Sequence, residues 1–381
     1  MEKHGASSSG DVATFGGETL PLSEEPSSSD FPVDGEWDSV FQPTLNWMRE
    51  EDGADRVNEY RIGRRLGKGS FGEVFECERC VGDPPYRKFA MKIMSKFRLR
   101  KLHEYVNTGG AMKKVTAEDK VRREIDIMRH LYHRNVVILF ETIEDTEEAG
   151  DDSHICLVLE LMSRGPTMTY DEEEGCFRAA ECDVLSESDA RLWFRDLLNG
   201  LKYLQSRGIA HRDIKPDNLL IFENGTLRIS DFGCAVRFPQ GPARAAGTLT
   251  NTAGTFTFFS PEGVSGEPFN GYGADLWAAA VTLYCWVFGA LPFWREGMEP
   301  LFEAIRTQPV EVGDAVSDEL AGLLLGLFHK NPARRLTLEQ ALEHPWLAEA
   351  VADAAAEAAE GLEETTSEEE LDPPPPEPPS F

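Results

Sequence analysis

The chain predicts an α+β fold of two unlike lobes, a small β-rich one followed by a larger helical one. Two contrasts carry this reading. From Tyr60 to about Leu161, short β-rich runs (YRIGRRL, GEVFECER, KFAMKIM, VVILFETI, HICLVLEL) surround one charged helical pattern, KVRREIDIMRHLYH. From Ser186 onward long helical patterns dominate: ESDARLWFRDLLNGLKYLQSRG brings Ala190, Phe194, Leu197, Leu198, Leu201 and Leu204 near one face at spacings of three and four. Strands first and helices later suggest two lobes, and a cleft between lobes is a usual place for a ligand.

The flanks differ from this centre. With 381 residues and 41% hydrophobic content the chain can bury a sizeable core. Its formal charge of −29 sits mostly at the ends: residues 1–59 hold 14 acidic and 3 basic residues, residues 348–381 hold 11 acidic and none basic, and −7 remains for 60–347. Nothing is basic enough for general nucleic-acid binding. Residues 1–59, rich in Ser, Gly, Pro and acids, are expected to be mostly disordered because they cannot bury enough apolar surface to offset chain entropy. Within them Phe31 to Met48 concentrates aromatic residues, and either docks on the folded part or is a linker with sticky residues. Residues 348–381 read as an acidic, Ala-rich then Pro-rich solvated tail.

Seven scattered cysteines without a signal peptide point to a reducing compartment, cytoplasmic or also nuclear. The pair Cys77 and Cys80 forms a CxxC, but without a second pair at zinc spacing it reads as ordinary thiols. The apolar run from Val281 to Trp294 is shorter than the roughly 20 residues a membrane span needs and contains Pro292, so it reads as a buried helix and turn.

The chemistry-bearing motifs come in order. LGKGSFGEV, Leu66 to Val74, places GxGxxG between two strand-like runs, where glycines let backbone amides approach phosphates. A dinucleotide fold would instead open a helix here. The next landmark is Lys92 in FAMK. The sharpest signal is HRDIKPDNLLI, His211 to Ile221, followed by DFG at Asp231 to Gly233. Phosphoryl transfer needs charge neutralisation, a positioned hydroxyl and in-line geometry. Asp213 can accept or orient the hydroxyl proton, Lys215 can neutralise the transferring phosphate, and Asn218 and Asp231 offer hard oxygens suited to Mg2+.

At these residues the chain resembles the eukaryotic protein kinases, with the motifs in family order from Tyr60 to Leu347. The resemblance implies the bilobal kinase fold, with a domain at 60–347 (lobes about 60–161 and 163–347), and ATP and Mg2+ as cofactors. It implies a phosphate-covering loop at Gly67, Gly69 and Gly72, a Lys92–Glu124 pair, and a nucleotide site that also includes Leu66, Val74, Ala90 and Leu220. It also implies a gatekeeper at Leu159 before the hinge residues Glu160 to Met162. The sequence SPE at Ser260 to Glu262 stands for the usual APE, with Glu262 pairing Arg335, and Ala280 replaces the glycine of DxWxxG. Lys215 in the catalytic loop goes with serine and threonine acceptors. Thr255 is implied to bond Asp213 and Lys215.

Three stretches narrow the likeness: RGPTM (Arg164 to Met168), NTAGT, and LWAAAVTLYCWVFGALPFW. Together they resemble the calcium/calmodulin-dependent protein kinase kinases and the plant and algal kinases that switch on the AMP-activated class. The resemblance implies protein substrates that are themselves kinases, phosphorylated on an activation-loop threonine. Alternatives are a general calmodulin-dependent-class kinase with other substrates, and a non-catalytic ATP-binding scaffold. Calmodulin as a partner is doubtful, since the sequence beyond the domain is acidic where calmodulin targets are basic and amphipathic. Arg212 can pair with a phosphate in the activation segment, where Thr248, Thr250 and Thr252 are available.

Overall fold

The computed structural model describes residues 39–348, apart from positions 43, 51–52, 70, 82–86, 109–110, 146–149, 151–152, 181 and 314. The expectations for the chain before residue 39 and after residue 348 lie outside the described residues.

The first lobe is built on β1 (Val40–Gln42), β2 (Trp47–Arg49), β3 (Asp55–Val57), β4 (Tyr60–Lys68), β5 (Glu73–Arg79) and β6 (Lys88–Ser95). After β6 come α1 (Lys96–Lys101), a hairpin of β7 (His103–Thr108) and β8 (Ala111–Thr116), α2 (Ala117–Met128), β9 (Leu139–Glu144) and β10 (His154–Leu159). Eight strands form one sheet in the order β1-β9-β10-β6-β5-β4-β3-β2. Only the β1–β9 pairing is parallel.

The helix α2 starts at a capping box, in which the Thr116 hydroxyl accepts from the Asp119 N–H and the Asp119 carboxylate accepts from the Thr116 N–H. Its buried positions include Val121, Glu124, Ile127 and Met128, at spacings of three and one. Glu124 therefore shares the inward face with apolar neighbours, a position a carboxylate holds only with a partner.

The sheet begins earlier than expected. Residues 39–57 fall in the stretch read as disordered, yet β1 pairs with β9 and β2 pairs with β3. Asn58, in a left-handed conformation with φ 51, donates to the Gln42 side chain and the Thr44 carbonyl and accepts from the Asn46 N–H. Leu45 packs on a small core inside the lobe that contains Val57, Tyr60, Phe89, Met91, Ile143 and Val158. Three-residue strands leave almost no periodicity to read, and their partners lie far along the chain.

The second lobe holds α3 (Glu187–Ser206), α4 (Pro242–Ala246), α5 (Gly271–Phe288), α6 (Met298–Thr307), α7 (Asp318–Leu327) and α8 (Leu338–Leu342). The central α5 is apolar nearly all round, with Trp277, Ala280 and Trp286 fully buried. It ends at Gly289, φ 66, before the turn that carries Pro292. A large core runs from Met94, Val121 and Leu157 of the first lobe into α3, α5 and α7 of the second. Two short ladders suspend the segment 211–218 between them: Ile209–Ala210 with Val236–Arg237, and Leu219–Ile221 with Leu227–Ile229.

Candidate active site

A cleft of about 720 Å³ opens where the lobes meet. Most of the residues singled out from the sequence line it, among them Leu66, Gly67, Gly69, Val74, Ala90, Lys92, Glu124, Leu159, Glu160, Met162, Lys215, Asn218, Leu220, Asp231 and Thr255. Asp213 and Gly72 stand just outside this lining, for different reasons.

Gly72 serves packing. A methyl group on it would meet the Ile93 carbonyl oxygen at 2.2 Å, so glycine lets β5 start tight against β6. Gly67 has open space where a side chain would go, and Gly69 closes the turn by donating its N–H to the Gly72 carbonyl at 2.9 Å.

Behind this loop, Lys92 sits between Val74 and Leu157 in the sheet register. Its ammonium reaches Glu124 Oε1 at 2.8 Å, both side chains being nearly buried. Burial opposes its charge, but the Glu124 and then the Asp231 carboxylates outweigh it and hold the ammonium above its usual range. Its stability contribution is therefore complete below the ordinary lysine range and is lost only as pH rises through the folded value, leaving it charged at neutral pH. At the hinge, the Glu160 carboxylate turns away from the cleft into a buried ion pair with Arg228 at 2.8 Å. Glu160 thus presents backbone, not charge, to a ligand.

Asp213 is held from three sides. Its Oδ1 accepts from the Thr255 N–H and hydroxyl, each at 2.9 Å, and its Oδ2 accepts from the Asn218 amide at 2.9 Å. Lys215 Nζ donates to the Thr255 hydroxyl at 2.9 Å and lies 3.3 Å from Asp213 Oδ2. Asp213 is thus set at the outer edge of the cleft, with a cation and a hydroxyl beside it.

Asn218 spends its amide nitrogen on Asp213, leaving its carbonyl oxygen for another partner. Asp231, in the left-handed region at φ 58, uses Oδ1 to accept the Gly233 N–H at 3.3 Å. Both line the cleft. An amide oxygen and a carboxylate so placed fit a small hard cation such as Mg2+, which keeps several waters and takes few protein ligands.

Other residues of the same motifs hold this arrangement. His211 is fully buried; its Nε2 lies 2.9 Å from the Ser230 carbonyl, and its ring meets Phe232 edge-on at 4.9 Å, tying the two loops together. Asp275, buried in α5, accepts the N–H groups of His211 and Arg212, both at 2.7 Å. Gly254 has φ 101 and presses on the same loop: a methyl there would sit 2.2 Å from the Arg212 carbonyl oxygen and 2.9 Å from Asp213 Oδ1. Gly254 and the Arg212 it presses on are 42 positions apart in the chain. Glu262 and Arg335 make the expected two-pronged pair, at 2.6 and 2.7 Å.

Elsewhere, Cys77 lies in the small core and burial pushes its thiol up to about 12, which makes it inert. Among the described residues no helix is long and apolar enough to cross a membrane.

Residues 60–347 match the protein kinase domain. The chain is 34% identical to the serine/threonine-protein kinase GRIK1 of Arabidopsis thaliana over 78% of its own length and 69% of that protein's. It is 34% identical to GRIK2 of the same plant, over 78% and 67%. It is also 33% identical to the serine/threonine-protein kinase TOS3 of Saccharomyces cerevisiae, over 76% and 53%. With a cleft, a buried lysine–glutamate pair and a braced aspartate inside the matched segment, the chain belongs to the protein kinase family and is a protein serine/threonine kinase.

Proposed function

We propose that this kinase moves the γ-phosphoryl group of ATP onto an activation-loop threonine of another kinase, one of the AMP-activated or calmodulin-dependent type. In this reading the acceptor hydroxyl loses its proton to Asp213 as its oxygen bonds to the γ-phosphorus and the bond to ADP breaks. Lys215 steadies the transferring group. Lys92, held by Glu124, binds the non-transferring phosphates, and the Gly67, Gly69 and Gly72 turn covers them. Leu66, Val74, Ala90, Leu159 and Leu220 enclose the base, and the backbone of Glu160 and Met162 recognises its edge. Asn218 and Asp231 would hold Mg2+, whose charge when bound offsets that of the phosphates.

One observation carries the chemistry: the Asp213 carboxylate is fixed by Thr255 and Asn218 beside Lys215, at the edge of a cleft that also holds Lys92 and Asp231. Asp213→Asn keeps the size of the side chain and removes the proton acceptor. It should lower kcat by roughly 10³-fold with an unchanged circular dichroism spectrum; undiminished turnover in that variant would sink the mechanism.

The acceptor rests on the RGPTM, NTAGT and LWAAAVTLYCWVFGALPFW stretches and on the likeness to the plant kinases. Incubation with a catalytically dead AMP-activated-type kinase, followed by phosphosite mapping, tests it. Label on the activation-loop threonine supports the upstream role; label confined to other sites means a kinase of broader protein substrates.

A further inference from the structure

Arg212 already has a partner in the activation segment. Its Nη2 donates to the Asn251 backbone carbonyl at 2.9 Å and to the Asn251 side-chain oxygen at 3.3 Å. Such an arginine, next to the catalytic-loop aspartate, is the group that a phosphorylated activation segment pairs with to become ordered. Here one asparagine supplies two acceptors to it.

The surrounding cations are committed as well. Lys120 and Arg123 of α2 share the electrostatic neighbourhood of Arg212 and Cys234. Lys120 Nζ is paired with Glu104 at 2.9 Å, and Arg123 Nε donates to the Asp119 carbonyl at 3.3 Å. Arg237 caps the end of α2 through the carbonyls of Asp126 and Ile127. Thr248, Thr250 and Thr252 are exposed, flanking Asn251.

The contact is placed to matter. Arg212 itself is held at φ 71, a strained conformation for a residue with a side chain. Asp275 fixes its N–H, Gly254 packs on its carbonyl, and Asn251 grips its side chain. The residue after it is Asp213. The grip has two parts, the Asn251 backbone carbonyl at 2.9 Å and its side-chain oxygen at 3.3 Å, and the second is the part that a change of side chain removes.

Resting on the kinase reading, we infer that Asn251 is a positioning residue that stands in for an activation-segment phosphate, so that the kinase is competent without phosphorylation. The test uses full-length protein treated with phosphatase and confirmed unphosphorylated by intact mass before the assay. It should start at its full rate without a lag, equal to untreated protein. A rate that falls at least tenfold on dephosphorylation, or a lag that ends as phosphate appears on Thr248, Thr250 or Thr252, overturns the inference and leaves the kinase reading standing. Absence of activity in both forms overturns both.

The second arm is Asn251→Ala, expected to lower kcat/KM for a protein substrate about tenfold at unchanged KM for ATP and unchanged melting temperature. Asn251→Asp, which gives Arg212 a charged acceptor, should restore it. In the Arg212→Ala background, Asn251→Ala should cost nothing further. Full activity in Asn251→Ala, or additive losses in the double variant, contradicts the role.

Discussion

The roof and floor of the cleft are built on opposite principles. In the floor, residues 211–218 are fixed by contacts from distant segments: Asp275 from α5, Thr255 and Gly254 from the activation segment, and Ser230 from before the DFG turn. In the roof, the last residues of β4, leading into the turn, have open space beside Gly67 and an exposed Leu66. The chemistry explains the contrast. A proton acceptor must meet one hydroxyl in one geometry, where a misplacement of about 1 Å costs roughly 100-fold. A loop that covers phosphates needs backbone amides free to approach them.

The largest effect that would test this contrast is in the floor. Gly254→Ala should cost at least ~100-fold in kcat, because the new methyl overlaps the Arg212 carbonyl and crowds Asp213 Oδ1 in a conformation that alanine avoids. Binding of ATP, measured by fluorescence titration, should change little. Near-normal turnover in this variant would mean that the floor yields, and that its bracing does not position Asp213.

The same contrast explains what could be read from the sequence. Roof and floor both announced their motifs, because GxGxxG, HRDIKPDN and DFG are local strings. The braces were legible only in part. The resemblance implies Thr255 on Asp213 and points Arg212 at the segment of Thr248 to Thr252, but it does not say that Gly254 packs on the Arg212 carbonyl, that Asn251 supplies the acceptors, or that the motif residue Asp275 takes two N–H donors. Local pattern alone is also ambiguous: in TNTAGTFTFFSPE the alternating Thr and Phe read as a strand while Gly254 and Pro261 read as a loop, and Phe256–Phe258 form a single 3₁₀ turn. There Phe258 is buried edge-on to Phe177, while Phe256 is half exposed and packs against Phe259 and Phe302. For β1 to β3, acidic composition outweighed the two apolar residues that reach the small core, Leu45 and Val57, while Val40, Phe41, Trp47 and Met48 stay exposed.

Within the roof, Gly72 and Gly67 should separate. Gly72→Ala drives a methyl into the Ile93 carbonyl, so the strand start must shift, and a loss of about 2 kcal/mol in unfolding free energy is expected from the urea midpoint. Stability equal to the parent would show that β5 and β6 tolerate the insertion. Removal of residues 1–54 should cost somewhat less, about 1.5 kcal/mol, since it strips Leu45 from the small core together with the β1 pairing. A loss in the truncated chain places the kinase fold's physical start before residue 60. No loss places the first two strands outside it.

The smallest effect is expected at Gly67. Its backbone is not in the left-handed region and nothing lies within 4 Å of an added methyl, so Gly67→Ala needs no shift of the protein itself. What the methyl meets is the ligand side of the cleft, which Gly67 lines. Unfolding should be unchanged, and the KM for ATP should rise by no more than about threefold, a fraction of a kcal/mol. The outcome discriminates between two uses of glycine in one turn. If Gly67→Ala instead unfolds the lobe as Gly72→Ala does, the turn is a packed element and the roof is braced like the floor. If it leaves the fold alone while weakening ATP, the glycine is kept for how closely backbone can approach phosphate.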